Sequence, residues 1–138
     1  MTFTAFRPTR RWLAAMAVLL SWPALSAATA EEFPFGLEMT LDAPPMAGSE
    51  RVPVLEIGAS GQAQLDLWCK RGRGQFAVAG DTIVFVPGAL RGDGCPADRA
   101  QADDGLVASL AAATNWKRSS DVIIFIGPKP LRFRLNTN

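Results

Sequence analysis

The chain of 138 residues contains no histidine. This absence excludes catalytic sites in which a histidine activates a cysteine or a serine. It also removes the commonest zinc ligand, and the two cysteines present cannot complete a closed zinc site by themselves. We therefore expect the protein to have no enzymatic activity, no bound metal and no other cofactor.

The chain also lacks a strong excess of positive charge, with 14 basic and 13 acidic residues. Its first thirty residues hold three of the basic residues and none of the acidic ones, so residues 31–138 carry a small net negative charge. Domains that bind nucleic acid are usually strongly basic, with clustered lysines and arginines. We therefore expect no nucleic-acid partner.

The N-terminal segment has the order of a secretory signal peptide. Arg7, Arg10 and Arg11 precede an apolar run from Trp12 to Leu20, and small residues ending in Ala28-Thr29-Ala30 follow. A basic region, an apolar region and an A-x-A site in this order predict cleavage after Ala30. The apolar run is too short to remain as a membrane-spanning helix. We therefore predict a periplasmic protein without a stable membrane anchor after cleavage.

The adjacent Arg10 and Arg11 partly match a twin-arginine export signal. The downstream part of that motif is missing, which favours the Sec route over the twin-arginine route. The remaining residues, 31–138, have the length of a single domain with one core. We expect this domain to be a monomer.

Cys69 and Cys95 are the only cysteines. Disulfides persist in a bacterial periplasm and are rare in the cytosol, so an even pair in an exported domain predicts a Cys69–Cys95 bond. Closing a loop of about 26 residues would stabilise the fold by roughly 3–4 kcal/mol. The alternative is a free Cys69 made reactive by the neighbouring cations Lys70, Arg71 and Arg73, which the oxidising compartment disfavours.

Hydrophobic periodicity predicts an α+β fold. Apolar residues alternate with polar ones in most of seven segments, and Leu106, Val107 and Leu110 recur at helical spacing in an alanine-rich segment. We therefore predict a curved or barrel-like antiparallel sheet of about seven strands, with one helix over about 98–114 packed on its open face or mouth. The predicted strands are residues 37–41, 52–57, 63–69, 75–79, 82–86, 122–126 and 131–135.

The most basic segment of the predicted domain is Lys70-Arg71-Gly72-Arg73-Gly74. It matches neither of the common glycine-rich phosphate-binding motifs, and strands rather than a helix are predicted on both sides of it. The glycines therefore predict a turn or a bulge, with the cations in solvent. The alternative is that Lys70, Arg71 and Arg73 form a patch for an anion, a lipid headgroup or a protein partner.

The acidic residues are scattered and form no EF-hand pattern. We expect Asp103 and Asp104 to lie near the start of the helix and on the surface, where carboxylates favour the positive end of the helix dipole. Trp116 follows the helix and is predicted to lie in the core. Trp68 is predicted either to be a surface contact residue or to pack on a neighbouring strand.

Several motifs follow one another in a recognisable order. They are Val54–Ile57 with Gly58 and Gly61, Cys69 with Gly74, Phe76 and Gly80, Thr82–Phe85, Cys95-Pro96, Leu106–Leu110 with Trp116, Asp121–Ile124, and Leu131–Phe133. This order resembles the META domain, also described as HslJ-like, of small bacterial envelope proteins. Three features depart from the family pattern. Lys70 follows the first cysteine where the family often has asparagine, no tryptophan precedes Trp68 in residues 31–138, and the segment ALRGDG before Cys95 is more glycine-rich than the family norm.

The resemblance implies a place and a fold but no catalytic mechanism. Family members are linked with the bacterial envelope, with heat-shock or stress responses and with antibiotic tolerance. We therefore expect a non-enzymatic periplasmic accessory, binding or inhibitory module in envelope stress, with an envelope protein or small ligand of unknown identity as partner. The alternative is a binder of a small hydrophobic ligand in the mouth of the curved sheet. A lined cavity there, rather than a core filled by the helix, would distinguish the two.

Overall fold

The computed structural model describes residues 1–2 and 31–137. The predicted signal peptide, apart from its first two residues, and the arginine pair within it lie outside the described residues. The described part contains eight strands and one helix, and no helix there combines the length and apolar character needed to cross a bilayer. The elements are β1 (Glu38–Leu41), β2 (Val54–Ile57), β3 (Gln62–Asp66), β4 (Arg71–Ala79), β5 (Thr82–Arg91), α1 (Ala97–Ala112), β6 (Asn115–Ser119), β7 (Val122–Ile126) and β8 (Leu131–Leu135).

The eight strands form one curved antiparallel sheet in chain order. Each strand pairs with the next, and β1 pairs with β8, so the sheet closes on itself. The pairing between β5 and β6 is the shortest in the sheet, because it contains one residue pair, Thr82 with Asn115. The chain leaves the sheet after Arg91, at the other end of β5, forms α1 and returns to the sheet at Asn115. The predicted α+β fold with a curved antiparallel sheet is confirmed.

The inward-facing residues of the strands form the core together with the helix. Met39, Ile57, Ile123 and Phe125 are completely buried, and each such side chain stabilises the fold by roughly 1.5–3 kcal/mol relative to exposure. Trp116 is also buried, as predicted, and its indole Nε1 donates a hydrogen bond of 2.8 Å to the carbonyl of Gly80. The core is therefore continuous from β1 around to β8.

Strand β6 is the element that the pattern did not predict. Its sequence, Asn115 to Ser119, contains Trp116 as its one apolar residue, so it shows no alternation. It is a strand because all five of its residues pair with β7. Pairing with a strong neighbour, which is not visible in the local sequence, determines its conformation.

Strands β4 and β5 are longer than predicted. Strand β4 starts at Arg71, so the basic segment lies largely within a strand, and β5 continues through Pro87 to Arg91. Proline cannot donate a hydrogen bond to a sheet and normally ends a central strand. It is tolerated at Pro87 because this part of β5 pairs with a strand on the β4 side only.

A bulge interrupts the pairing of these two strands. Gly74 lies opposite Pro87, but Gly72 lies opposite Leu90, so the register shifts by one residue between them. The extra residue is therefore in β5, opposite Arg73. The close approach requires glycine in β4, because a Cβ on Gly72 would lie 2.5 Å from Leu90 Cδ2 and 2.8 Å from the Ala89 carbonyl oxygen.

Helix α1 lies in the connection from β5 to β6. Its apolar stripe of Leu106, Val107 and Leu110 is buried in the same cluster as the inward-facing strand residues, as predicted. The helix ends at Ala112, two residues before the predicted end. Thr114 is already extended, because its N–H bonds to the carbonyl of Ile126 and its carbonyl accepts the N–H of Ile83.

The prediction for Asp103 was wrong, because this residue lies within the helix and is completely buried. Its Oδ1 accepts the backbone N–H of Trp68 at 2.9 Å, and its Oδ2 accepts those of Cys69 at 3.0 Å and Lys70 at 2.7 Å. These N–H groups belong to the turn between β3 and β4. A carboxylate can accept several hydrogen bonds at once, which compensates its removal from water.

Replacing Asp103 by asparagine should lower the free energy of unfolding by about 3 kcal/mol, because one acceptor is lost and an NH₂ group faces buried N–H donors. Asp104→Asn is the matched control. Asp104 is exposed and binds Lys70 Nζ at 2.7 Å, so its loss should cost less than about 1 kcal/mol. Urea denaturation followed by tryptophan fluorescence measures both. Equal losses would contradict the structural role of Asp103.

A second pair of variants tests the bulge. Gly74→Ala should destabilise by about 1–3 kcal/mol, because its Cβ would overlap the ring of Phe85. Gly105→Ala should instead stabilise by up to about 1 kcal/mol, because Gly105 lies inside α1 with open space around its Cβ position. Thermal unfolding of the two variants should move in opposite directions, and a stabilised Gly74→Ala would refute the close packing at the bulge.

Candidate functional site

The outer face of strands β1 to β5 contains an open groove of about 1070 Å³. Its lining comes mostly from outward-facing residues of these strands, together with Cys69 and the segment that follows β5. The pairing registers place Arg73, Gln64, Glu56 and Glu38 side by side on four successive strands. One row of the groove therefore runs from a cation through an amide to two carboxylates.

The wall formed by β4 and β5 is positively charged. Arg71 and Arg91 lie directly opposite each other across these strands, and Arg73 lies two residues further along β4. Arg71 Nε donates a hydrogen bond of 3.1 Å to Asp66, which also pairs with Arg51. Within the part of the chain that the structure describes, Arg73 and Arg91 have no carboxylate at ion-pair distance.

The wall formed by β1 and β2 is negatively charged. Glu38 and Glu56 lie directly opposite each other. Glu38 accepts a hydrogen bond of 2.7 Å from the amide of Asn136. Neither glutamate forms an ion pair with any cation in residues 31–137.

The bulge brings Arg91 to the groove. Near the hairpin, Thr82, Val84 and Val86 are the exposed positions of β5, whereas Leu90 packs toward the core and Arg91 is exposed at its far end. The extra residue opposite Arg73 reverses the alternation of faces. Without it, Arg71 would lie opposite Leu90, and Arg91 would point to the other face.

The structure brings together part of the predicted basic patch. Arg71 and Arg73 share the outer face of β4, but the side chain of Lys70 is largely buried and its Nζ binds Asp104 on α1. Arg91 joins the two arginines instead. Sequence reasoning missed it because Pro87 predicted the end of the strand, and only the strand pairing reveals that Arg71 and Arg91 are neighbours.

The charges on β8 show a different arrangement. Arg132 and Arg134 lie within ion-pair distance of Asp42, and Arg134 Nη1 donates a hydrogen bond of 3.0 Å to Asp121. The pKa of the Arg134 guanidinium is raised, first by this hydrogen bond and then by the negative charges of Asp121 and Asp42. Opposite charges are thus interleaved on this side of the sheet, whereas they are segregated in the groove.

The Cys69–Cys95 disulfide is present, as predicted, with its Cα atoms 5.9 Å apart, and neither cysteine is free. It joins Cys69, in the turn before β4, to Cys95, which directly precedes Pro96 and the start of α1. Cys69 also lines one end of the groove. The disulfide and the carboxylate of Asp103 therefore hold the same turn, from which the positively charged wall begins.

The mouth proposed for a hydrophobic ligand is occupied by side chains where α1 covers it. Leu106, Val107 and Leu110 contact the core in the arrangement expected for a filled interior. The described residues contain no group of three or more potential metal-ligating histidine, cysteine, aspartate or glutamate side chains. The groove on the outer face is therefore the feature that we assign as the candidate site.

Replacing both cysteines by serine should lower the free energy of unfolding by roughly 3–4 kcal/mol, because the native loop spans 26 residues. The double variant should still fold, since Asp103 continues to bind the turn. Guanidinium denaturation of the variant should coincide with that of the native protein under a strong reductant. If the reductant also changed the stability of the double variant, the difference in stability could not be assigned to this bond.

The model of the META domain family matches residues 35–134. No curated protein and no solved structure has significant similarity to the chain. The matched range begins before β1 and ends within β8, so it contains the whole groove, both cysteines and α1. This protein therefore belongs to the META domain family.

Proposed function

We propose that this META-domain protein is a non-enzymatic module of the bacterial periplasm. It binds an envelope protein and acts as an accessory or inhibitory factor during envelope stress. The observation that supports this proposal is the groove, in which the cations Arg73 and Arg91 and the carboxylate of Glu56 form no ion pair with another described residue. Segregated charges at a surface favour recognition of a partner of complementary potential.

The family and the disulfide support the same proposal. META proteins form a family of small envelope-associated proteins, and disulfides are characteristic of oxidising compartments such as the periplasm. The interior of the sheet is filled by large apolar side chains and by the stripe of α1. Recognition then takes place on the outer face, where side chains and backbone are held in fixed positions by the closed sheet.

The proposal is tested by photo-crosslinking in the bacterial periplasm. A photoreactive residue in place of Gln64, at the centre of the groove, should crosslink to an envelope protein. The same residue in place of Lys117, an exposed position on β6, is the matched control and should not. Crosslinks from both positions or from neither would contradict a partner that binds the groove.

A native mass spectrum of the protein from the same periplasmic extract completes the test. The expected mass is that of residues 31–138 with two hydrogens fewer, which reports signal cleavage and the disulfide together. A stoichiometric apolar small-molecule adduct would favour the binding of a hydrophobic ligand instead. A turnover activity that disappears on mutating one polar surface residue would contradict a non-enzymatic role.

A further inference from the structure

The groove contains two cross-strand pairs of like charge. Arg71 lies opposite Arg91, and Glu38 lies opposite Glu56. Like charges directly opposite each other destabilise a sheet, whereas opposite charges stabilise it. Exchanging Arg91 with Glu56 would remove both repulsions and keep the Arg71–Asp66 pair, so stability of the sheet does not explain this arrangement. Violations of a local rule without a structural gain are expected at functional sites.

The dimensions of the groove restrict what can use both walls at once. The centre of the arginine pair lies between β4 and β5, and that of the glutamate pair lies between β1 and β2. Three strand spacings, about 14 Å, separate them across the sheet, and the arginine pair is also offset by two residues along the strands, so the two centres are about 16 Å apart. A single amino acid is too short to reach from one wall to the other. An extended chain advances about 3.3 Å per residue, so two groups about five residues apart span this distance.

The polar groups between the walls suit a peptide. Gln64 lies between Arg73 and Glu56, and its amide can both donate and accept hydrogen bonds. Asp66 forms ion pairs with Arg51 and Arg71, which leaves Arg73 and Arg91 to bind an incoming carboxylate. Asp93, which follows β5, also lines the groove. A polyanion would meet repulsion from Glu38 and Glu56 across the groove.

We infer that the groove binds an extended peptide segment of its partner, which carries an acidic cluster and a basic cluster whose centres are about five residues apart. The acidic cluster binds Arg73 and Arg91, next to the Arg71–Asp66 pair, and the basic cluster binds Glu38 and Glu56. This inference rests on the proposed function and specifies the chemistry of the segment that is recognised.

The test uses synthetic peptides and the ¹⁵N-labelled protein purified from the periplasm. The first peptide has two glutamates, three serines and two lysines in that order, and the second has the same composition with glutamates and lysines alternating. Amide chemical shifts at low salt give the dissociation constants. The first peptide should bind at least about fivefold more tightly, with the largest shifts on β2 to β4. Equal binding of the two peptides would overturn the inference.

Charge-reversal variants in the groove distinguish a role in peptide binding from a role in stabilising the fold. Arg91→Glu and Glu56→Lys should each weaken binding of the first peptide by about fivefold or more. Each also replaces a like-charge pair by an opposite pair, so the urea midpoint should rise. Lys117→Glu, on the outer face of β6, should leave binding unchanged. Weaker binding that accompanied a lower urea midpoint would overturn the assignment, because damage to the fold would then explain it.

A third peptide, with four glutamates and no lysine, distinguishes a bipolar groove from a simple anion site. In a bipolar groove Glu56→Gln weakens binding of the first peptide. In an anion site the acidic peptide binds the native protein at least as well as the first peptide, and Glu56→Gln strengthens both, which would overturn the inference. If no peptide binds while the crosslink from Gln64 persists, this inference fails and the proposed function stands.

Discussion

The carboxylate of Asp103 is the interaction on which the candidate site depends. It accepts three consecutive backbone N–H groups of the turn between β3 and β4, and so attaches the middle of α1 to one end of the sheet. Strand β4 begins at Arg71, immediately after the last of these donors. The direction in which Arg71 and Arg73 leave the turn is therefore set by three hydrogen bonds to a buried carboxylate. Removing such an acceptor would leave buried N–H groups without a partner, which costs more than the net value of the bonds.

The bulge converts this anchored strand into one wall of a groove. Between Gly72 and Gly74 the register of β4 and β5 shifts by one residue, and this shift turns Arg91 to the same face as Arg71. The glycines permit the close backbone approach that the shift requires, since a side chain at either position would overlap its neighbours. The unusual juxtaposition of two arginines is thus a consequence of backbone geometry.

The parts of the fold that were predictable are those in which burial leaves a local pattern. Strand Leu131–Leu135 and the stripe of α1 repeat their apolar residues with the period of their own secondary structure, and strand Val122–Ile126 is a short continuous apolar run followed by a glycine-proline turn. Strand β6 and the buried Asp103 leave no such pattern, because contacts with distant segments determine them.

The candidate site could be predicted only in part for the same reason, because contacts between distant segments leave no local sequence pattern. The basic segment was visible as a cluster of like residues, so Arg71 and Arg73 could be proposed as part of a patch. Arg91 lies twenty residues after Arg71 and follows a proline, and the opposing Glu38 and Glu56 lie on strands that precede the segment. Only the pairing of β1 to β5 shows that these five charges line one groove. Lys70, although adjacent in sequence, forms an ion pair with Asp104 on α1 instead.

The free energies involved explain why the fold tolerates the two like-charge pairs. Each pair costs up to about 1 kcal/mol, whereas the disulfide stabilises the fold by roughly 3–4 kcal/mol. The stabilisation from the disulfide is therefore larger than the cost of the two like-charge pairs.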